Sequence, residues 1–211
     1  LEETMGALDT AVRSGRALYA GISNYAPEQT RQAAEILRDL GTPCLIHKPS
    51  YSMFNRWVED GLLDVLAGEG IGCIPFSPLA QGLLTGKFAS ADDVPQGRAR
   101  TRHFSRARPQ TRHGEEGKEA ETFAMIDKMR QMCQKIDVPM AQVALAWLLH
   151  RRGVTSVLAG ARRGVEFGQT FQPTVRRRYH RHGLVDVEDD GDGQVGGTDL
   201  AQLLGAWGPC A

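Results

Sequence analysis

The chain has 211 residues, of which 41% are hydrophobic and 24% are charged, the balance of an ordinary soluble globular protein. Lys and Arg number 25 and so do Asp and Glu, so the zero net charge offers no overall polycation for nucleic acid. No apolar run approaches the roughly 20 residues that cross a bilayer, and the acidic start lacks the features of a signal peptide. Four cysteines without CxxC spacing favour a reduced compartment. We therefore expect a cytoplasmic protein with neither a membrane nor a nucleic-acid partner.

Helix-like and strand-like patterns alternate through the first 160 residues. Apolar side chains at helical spacing predict helices at residues 2–14, 29–40, 61–67, 122–135 and 140–150. Short apolar runs predict buried parallel strands at residues 18–23, 44–47, 71–76 and 154–159. Strands that alternate with helices through short connections are typical of a parallel α/β protein. The pattern fits an open sheet and half of an eight-stranded barrel equally well.

Two stretches depart from this alternation. Residues 98–113 contain six arginines and two histidines around Pro109, which predicts a long surface loop. Residues 164–211 form a divergent tail, with a basic cluster, then five carboxylates within residues 186–192, and a Gly-rich end. The composition therefore divides the chain into residues 1–163 and 164–211.

Residues suited to ligand binding follow each predicted strand. They are Ser23 and Asn24, then residues 48–51, 76–79 and 160–163, with hydroxyl, amide, aromatic or cationic groups at every strand end. Because parallel strands end at one edge, where α/β proteins bind ligands, these groups predict a binding site. Ser, Asn and Pro also cap helices and form turns, which is the alternative for any one of them. His47, inside a strand, is interpreted as a structural histidine.

Several runs resemble the aldo-keto reductases. They are residues 21–25 (Gly-Ile-Ser-Asn-Tyr), residues 49–56 (Pro-Ser-Tyr-Ser-Met-Phe-Asn-Arg), residues 76–87 (Phe-Ser-Pro-Leu-Ala-Gln-Gly-Leu-Leu-Thr-Gly-Lys) and residues 154–161. The likeness is greatest to the branch that includes L-glyceraldehyde 3-phosphate reductase and the potassium-channel β-subunit-like reductases. It extends over residues 1–163.

The resemblance implies a fold class. The family fold is a (β/α)8 TIM barrel, and the matched runs look like its strands five to eight. We therefore expect the C-terminal half of such a barrel, followed by an irregular tail. The chain also begins with Leu rather than Met, so we expect it to be a piece of a longer protein. Four strands leave two open sheet edges, which predicts self-association.

The resemblance also implies an NADP(H) site and assigns its residues. Ser23 and Asn24 would hold the nicotinamide carboxamide, and Phe76 would stack on the nicotinamide ring. The segment that follows would cradle the pyrophosphate, Lys87 would meet a phosphate, and residues 160–163 would meet the adenosine 2′-phosphate end. The predicted cofactor-binding residues are Ser23, Asn24, Lys48, Phe76, Ser77, Pro78, Leu79, Ala80, Gln81, Gly82, Lys87, Arg98, Gly160, Arg162 and Arg163.

Two departures from the family pattern bear on activity. Lys48 stands where the family usually has a Gln that helps to hold the carboxamide, and an ammonium group cannot accept a hydrogen bond from an amide. The family's catalytic Asp, Tyr, Lys and His belong to the first four strands, so no catalytic residue is assigned here. The expected function is NADP-dependent reduction of an aldehyde or ketone by hydride transfer, with this chain alone inactive.

The tail contains a calcium-loop-like segment at residues 188–199. Glu188, Asp190, Asp192 and Asp199 follow ligand spacing, with Gly193 at the turn, and resemble a dockerin-type or EF-hand half repeat. A solvated acidic turn is the other interpretation, and a frameshift or gene fusion after residue 163 is a further hypothesis. An alternative function is therefore a non-catalytic nucleotide-binding or interaction module with a Ca2+-dependent tail.

Overall fold

The computed structural model describes residues 1–95 and 118–160. The chain divides into two compact units, which are described separately. The first contains Leu1–Pro78 and Leu148–Leu158, and the second contains Leu79–Trp147 and the chain from Ala159 onward. The tail at residues 164–211, its calcium-loop-like segment and the whole arginine-rich stretch at residues 98–113 lie outside the described residues.

The first unit alternates helices and parallel strands. In chain order these are α1 (Glu2–Arg13), β1 (Ala20–Ile22), α2 (Pro27–Asp39), β2 (Cys44–His47), α3 (Leu62–Glu69) and β3 (Gly72–Cys73), with a 3₁₀ turn at Trp57–Glu59. Pro27 occupies the first turn of α2, where its missing N–H costs nothing, and the Gln29 side chain accepts a hydrogen bond from the Ala26 N–H at 3.2 Å. These elements confirm the predicted helix–strand order, with bounds shifted by a few residues.

The three strands form one parallel sheet in the order β1-β2-β3. Its register aligns Ile22 with His47, and His47 with Cys73. All three side chains are buried. Gly21 is needed for close approach, because a Cβ at that position would lie 2.8 Å from the Ile46 carbonyl oxygen. The sheet makes the unit a mixed α/β structure, as the sequence predicts.

The predicted strand at residues 154–159 is present only as an isolated parallel bridge between Cys73 and Val154. The Thr155 N–H donates to the Cys73 carbonyl and the Leu158 N–H donates to the Pro75 carbonyl, both at 2.9 Å. Pro75 has no N–H to return, so the ladder cannot continue through it. Among the described strands β1 lies at the edge, and the half-barrel and self-association predictions stay predictions.

The second unit contains α4 (Glu119–Lys135) and most of α5 (Met140–Leu149), with 3₁₀ turns at Ala80–Thr85 and Ala91–Asp93. The last two residues of α5 belong to the first unit. The apolar face of α4 buries Ile126 and Met129 completely. The Arg130 guanidinium donates to the Phe88 carbonyl at 3.0 Å and thereby fastens α4 to the preceding loop. Within the described ranges, no helix is both long and apolar enough to cross a membrane.

Candidate functional site

The first site element is the turn that follows β1. The Ser23 hydroxyl donates to the Lys48 carbonyl at 2.7 Å, a bond between residues 25 apart in sequence. Because that hydroxyl already donates its only hydrogen to Lys48, its oxygen can act toward a ligand only as a hydrogen-bond acceptor. Ser23 is exposed, so a ligand can reach this oxygen.

Asn24 adopts a left-handed backbone conformation with φ of 56°. Asn is one of the few residues besides Gly that tolerates this region. Its Oδ1 accepts the Ser50 N–H at 2.8 Å, and this contact fixes which end of the side-chain amide is oxygen. The Nδ2 group has no hydrogen-bond partner among the residues that the structure describes. Asn24 therefore presents a donor beside the acceptor of Ser23.

Ser50 connects this turn to the neighbouring loop. It is fully buried, and besides its N–H bond to Asn24 its hydroxyl accepts from Asn55 Nδ2 at 3.2 Å. Its carbonyl accepts from the Trp57 indole N–H at 2.8 Å. A residue bonded through backbone and side chain to three elements has little freedom to move, so the Asn24 amide is held in one orientation.

Phe76 joins the same edge from the chain that continues β3. Its N–H donates to the Pro49 carbonyl at 2.9 Å, and it forms a parallel bridge with Ser50. Its ring is half-buried, whereas the Lys48 side chain is exposed. Ser77 follows with a left-handed φ of 55°, and Pro78 ends the first of the two segments that form this unit. The first unit thus brings together six of the predicted residues at the carboxyl edge of its sheet, namely Ser23, Asn24, Lys48, Phe76, Ser77 and Pro78.

The second unit begins with a strained turn at residues 79–82. Ala80, Gln81 and Gly82 have successive φ values of 47°, 52° and 103°. The Gly82 N–H closes the turn onto the Leu79 carbonyl at 2.9 Å. Left-handed backbone at non-glycine residues costs on the order of 1–3 kcal/mol each and concentrates at ligand sites. This turn is therefore a candidate binding element in its own unit.

Lys87 adds a positive charge to this turn. A Cβ on Gly82 would lie 2.4 Å from Lys87 Cε and 2.6 Å from Nζ, so the lysine packs directly against the glycine. The ammonium also lies 4.7 Å from the centroid of the Phe88 ring. Thr85 supports the loop by donating its hydroxyl to the Gly82 carbonyl at 2.8 Å. Lys87 is exposed beside this turn, and its ammonium suits an anionic group.

The other predicted site residues lie far along the chain or outside the described residues. Gly160 is exposed at the end of the described chain, in the second unit. Arg98, Arg162 and Arg163 lie outside the described residues, as do the proposed calcium ligands Glu188, Asp190, Asp192 and Asp199. Across residues 1–95 and 118–160 no three His, Cys, Asp or Glu side chains group as metal ligands.

Tyr51 is the one tyrosine in this region that is fully buried. Its hydroxyl donates to Glu59 at 2.6 Å, and Arg56 pairs with the same carboxylate at 2.6 Å. Burial, reinforced by the Glu59 carboxylate, raises the pKa of Tyr51 far above its ordinary value. A phenol that holds its proton so tightly does not serve as a general acid at neutral pH. Tyr51 therefore stabilises the loop rather than supplying protons.

Comparison with known proteins matches residues 1–172 to the model of the aldo/keto reductase family. The chain belongs to this family. It is 42% identical over 200 residues to L-glyceraldehyde 3-phosphate reductase of Escherichia coli (strain K12), a match that covers 92% of this chain and 56% of that protein. It is 28% identical over 164 residues to a probable voltage-gated potassium channel subunit beta of Oryza sativa subsp. japonica, covering 76% of this chain and 48% of that protein.

The matched relatives are longer than this chain. An uncharacterised oxidoreductase of Bacillus subtilis (strain 168) is 32% identical over 164 residues, again with 76% of this chain but only 45% of that protein covered. The chain therefore spans about half the length of the curated relatives that it matches. Members of this family are oxidoreductases that act on small-molecule carbonyl substrates, and the family generally uses NADP(H).

Proposed function

We propose that this chain binds NADP(H) as part of an aldo-keto reductase, and one observation carries the proposal. Ser23 offers an acceptor and Asn24 offers a donor, side by side at the carboxyl edge of the sheet. A primary carboxamide presents the complementary pair, an N–H donor and a carbonyl acceptor. The nicotinamide end of the cofactor carries this group, and the half-buried ring of Phe76 suits stacking on the nicotinamide ring.

The phosphates of the cofactor are assigned to the second unit. The half-buried Leu79 and Gln81 belong to the turn proposed to meet the pyrophosphate, and the exposed Lys87 would supply a point charge. Arg98, Gly160 and the cations Arg162 and Arg163 are proposed for closing over the cofactor and for the 2′-phosphate end, which favours NADP(H) over NAD(H).

When bound, NADPH supplies a hydride to an aldehyde or ketone. Ser23 and Asn24 would orient the nicotinamide through its carboxamide, and Phe76 would stack on the nicotinamide ring. A proton donor for the carbonyl oxygen is not assigned, because Tyr51 is bonded to Glu59 and holds its proton. We therefore propose that these 211 residues, as the second half of a barrel, bind the cofactor in the cytoplasm without reducing a carbonyl.

A fluorescence titration with NADPH tests cofactor binding. Asn24→Asp keeps the oxygen that accepts the Ser50 N–H but replaces the Nδ2 donor with a carboxylate oxygen, which repels the carboxamide carbonyl. We expect NADPH to bind the wild-type chain and Asn24→Asp to weaken binding about tenfold, a loss of ~1.4 kcal/mol. Gln131→Glu, the same amide-to-acid change on the exposed face of α4, leaves binding unchanged. Absence of wild-type binding at millimolar NADPH overturns the proposal.

Three further measurements test its finer parts. NADH should bind more weakly than NADPH, and equal affinity would contradict the 2′-phosphate assignment. Turnover of a small aldehyde should be undetectable with this chain alone, and measurable turnover would show that it contains its own proton donor. The exposed Leu18 and Tyr19 beside edge strand β1 support self-association, for which sedimentation as a compact monomer would be the contrary result.

A further inference from the structure

His47 is a fully buried histidine at the last position of β2. Its Nε2 lies 3.2 Å from the Tyr25 carbonyl oxygen. A carbonyl only accepts hydrogen bonds, so Nε2 carries the hydrogen of the neutral ring. Burial lowers the pKa of His47 to about 4, which keeps the ring neutral under physiological conditions.

The second ring nitrogen of His47 shows that packing alone does not account for this residue. Nδ1 is buried and has no hydrogen-bond partner in the part of the chain that the structure describes. An unpaired buried acceptor costs on the order of 1–3 kcal/mol. The neighbouring side chains in register are Ile22 and Cys73, so an apolar residue would fit this layer without that cost.

The bond from His47 acts on the turn that presents Asn24. Tyr25 directly follows Asn24, and its carbonyl also accepts the Thr30 hydroxyl at 3.3 Å. On the other side of the turn, the Asn24 side chain accepts the Ser50 N–H. The left-handed Asn24 is therefore held between two contacts with β2 and the loop after it, one on its own side chain and one on the next carbonyl.

We propose that His47 is a positioning residue that fixes the Asn24 amide for cofactor binding, an inference that rests on the proposed function. Its Nε2–H anchors the Tyr25 carbonyl and thereby sets the direction in which the chain leaves Asn24. With this anchor the Nδ2 donor points consistently beside the Ser23 acceptor. Without it, Thr30 alone holds the carbonyl, and the turn samples other orientations.

Two substitutions separate positioning from packing. His47→Gln retains an N–H donor at a reach similar to Nε2, whereas His47→Leu fills the space without a donor. Amide hydrogen exchange at Ser50 reports on the Asn24 contact, and exchange at Ile71, whose N–H donates to Leu66 at 2.9 Å, reports on opening of the unit elsewhere. We expect His47→Leu to raise the exchange rate of Ser50 about tenfold relative to Ile71, or ~1.4 kcal/mol, and His47→Gln to restore it.

An equal rise at both amides, or failure of the Gln variant to restore Ser50, overturns the proposal because the effect is then one of packing. NADPH titration of the same variants gives a second measurement. The dissociation constant should rise about tenfold in His47→Leu and return toward wild type in His47→Gln. If wild-type chain binds no NADPH, the proposed function fails while hydrogen exchange still decides the role of His47. His150→Gln, at an exposed histidine, is the matched control and should change neither measurement.

Discussion

Replacing Asn24 tests whether the site depends on backbone conformation, on a hydrogen bond, or on both. Asn24→Ala removes the acceptor of the Ser50 N–H and places a poorly tolerated residue at φ of 56°. Left-handed backbone costs Ala about 1–2 kcal/mol, and an unpaired buried donor costs about 1–3 kcal/mol. We therefore expect Asn24→Ala to lower the free energy of unfolding by about 2–5 kcal/mol.

Two matched variants separate the backbone contribution to this loss from the hydrogen-bond contribution. Asn24→Gly accepts the positive φ and loses only the hydrogen bond, so it should cost about 1–3 kcal/mol. Asn24→Asp keeps an acceptor for Ser50 and tolerates the conformation, so it should stay within about 1 kcal/mol of wild type. Urea unfolding followed by circular dichroism gives all three values. Equal losses for Ala and Gly would refute the backbone argument, and a wild-type value for Gly would refute the hydrogen-bond argument.

Three further predictions concern charge, backbone strain and pH. Lys48→Gln supplies an acceptor for the carboxamide N–H and should tighten NADPH binding about threefold in a fluorescence titration, whereas Lys128→Gln should not. Gly82→Ala, with its Cβ 2.4 Å from Lys87 Cε and φ of 103°, should lower the free energy of unfolding by about 1–3 kcal/mol in urea titrations. Because burial lowers the pKa of His47 from 6.5 to about 4, its contribution to stability is complete above pH 6.5 and decreases by up to about 3 kcal/mol as the pH falls to 4.

Each of these predictions has a specific contrary result. An affinity of Lys48→Gln for NADPH no higher than that of the wild type would contradict the argument that an acceptor at residue 48 holds the carboxamide. Adding Lys87→Ala to Gly82→Ala should recover the steric part of the loss only, and full recovery would remove the argument from backbone strain. His47→Gln should flatten the pH dependence between 6.5 and 4, and an unchanged slope would assign that dependence to other groups.

Most of the fold of the first unit follows from local patterns. Apolar runs and helical spacing predict β1, β2 and the helices around them, because each pattern records one buried face. The region after β3 is harder to predict, since its hydrogen bonds depend on distant partners. The apolar run at residues 154–159 predicts a strand, but Pro75 cannot donate to it and only a bridge at Val154 remains.

The candidate site is likewise only partly predictable from the sequence. The positions of Ser23 and Asn24 at a strand end are evident from the sequence, whereas the orientation of the Asn24 amide is not. That orientation depends on Ser50, 26 residues away, and the next carbonyl depends on His47, 22 residues away. The left-handed Ala80 and Gln81 also escape prediction, because neither residue type signals a positive φ.

These long-range bonds tie formation of the site to formation of the sheet. Ser23, Asn24 and Tyr25 are each bonded to β2 or to the loop after it, so the donor and acceptor pair exists only when β1 and β2 are aligned. Slippage of β1 by one residue would turn Ser23 to the opposite face of the sheet and separate all three contacts. Substitutions that weaken β1–β2 pairing should therefore reduce cofactor affinity in proportion to the fraction of molecules in which the two strands are in register. This should hold even for substitutions far from the carboxamide site.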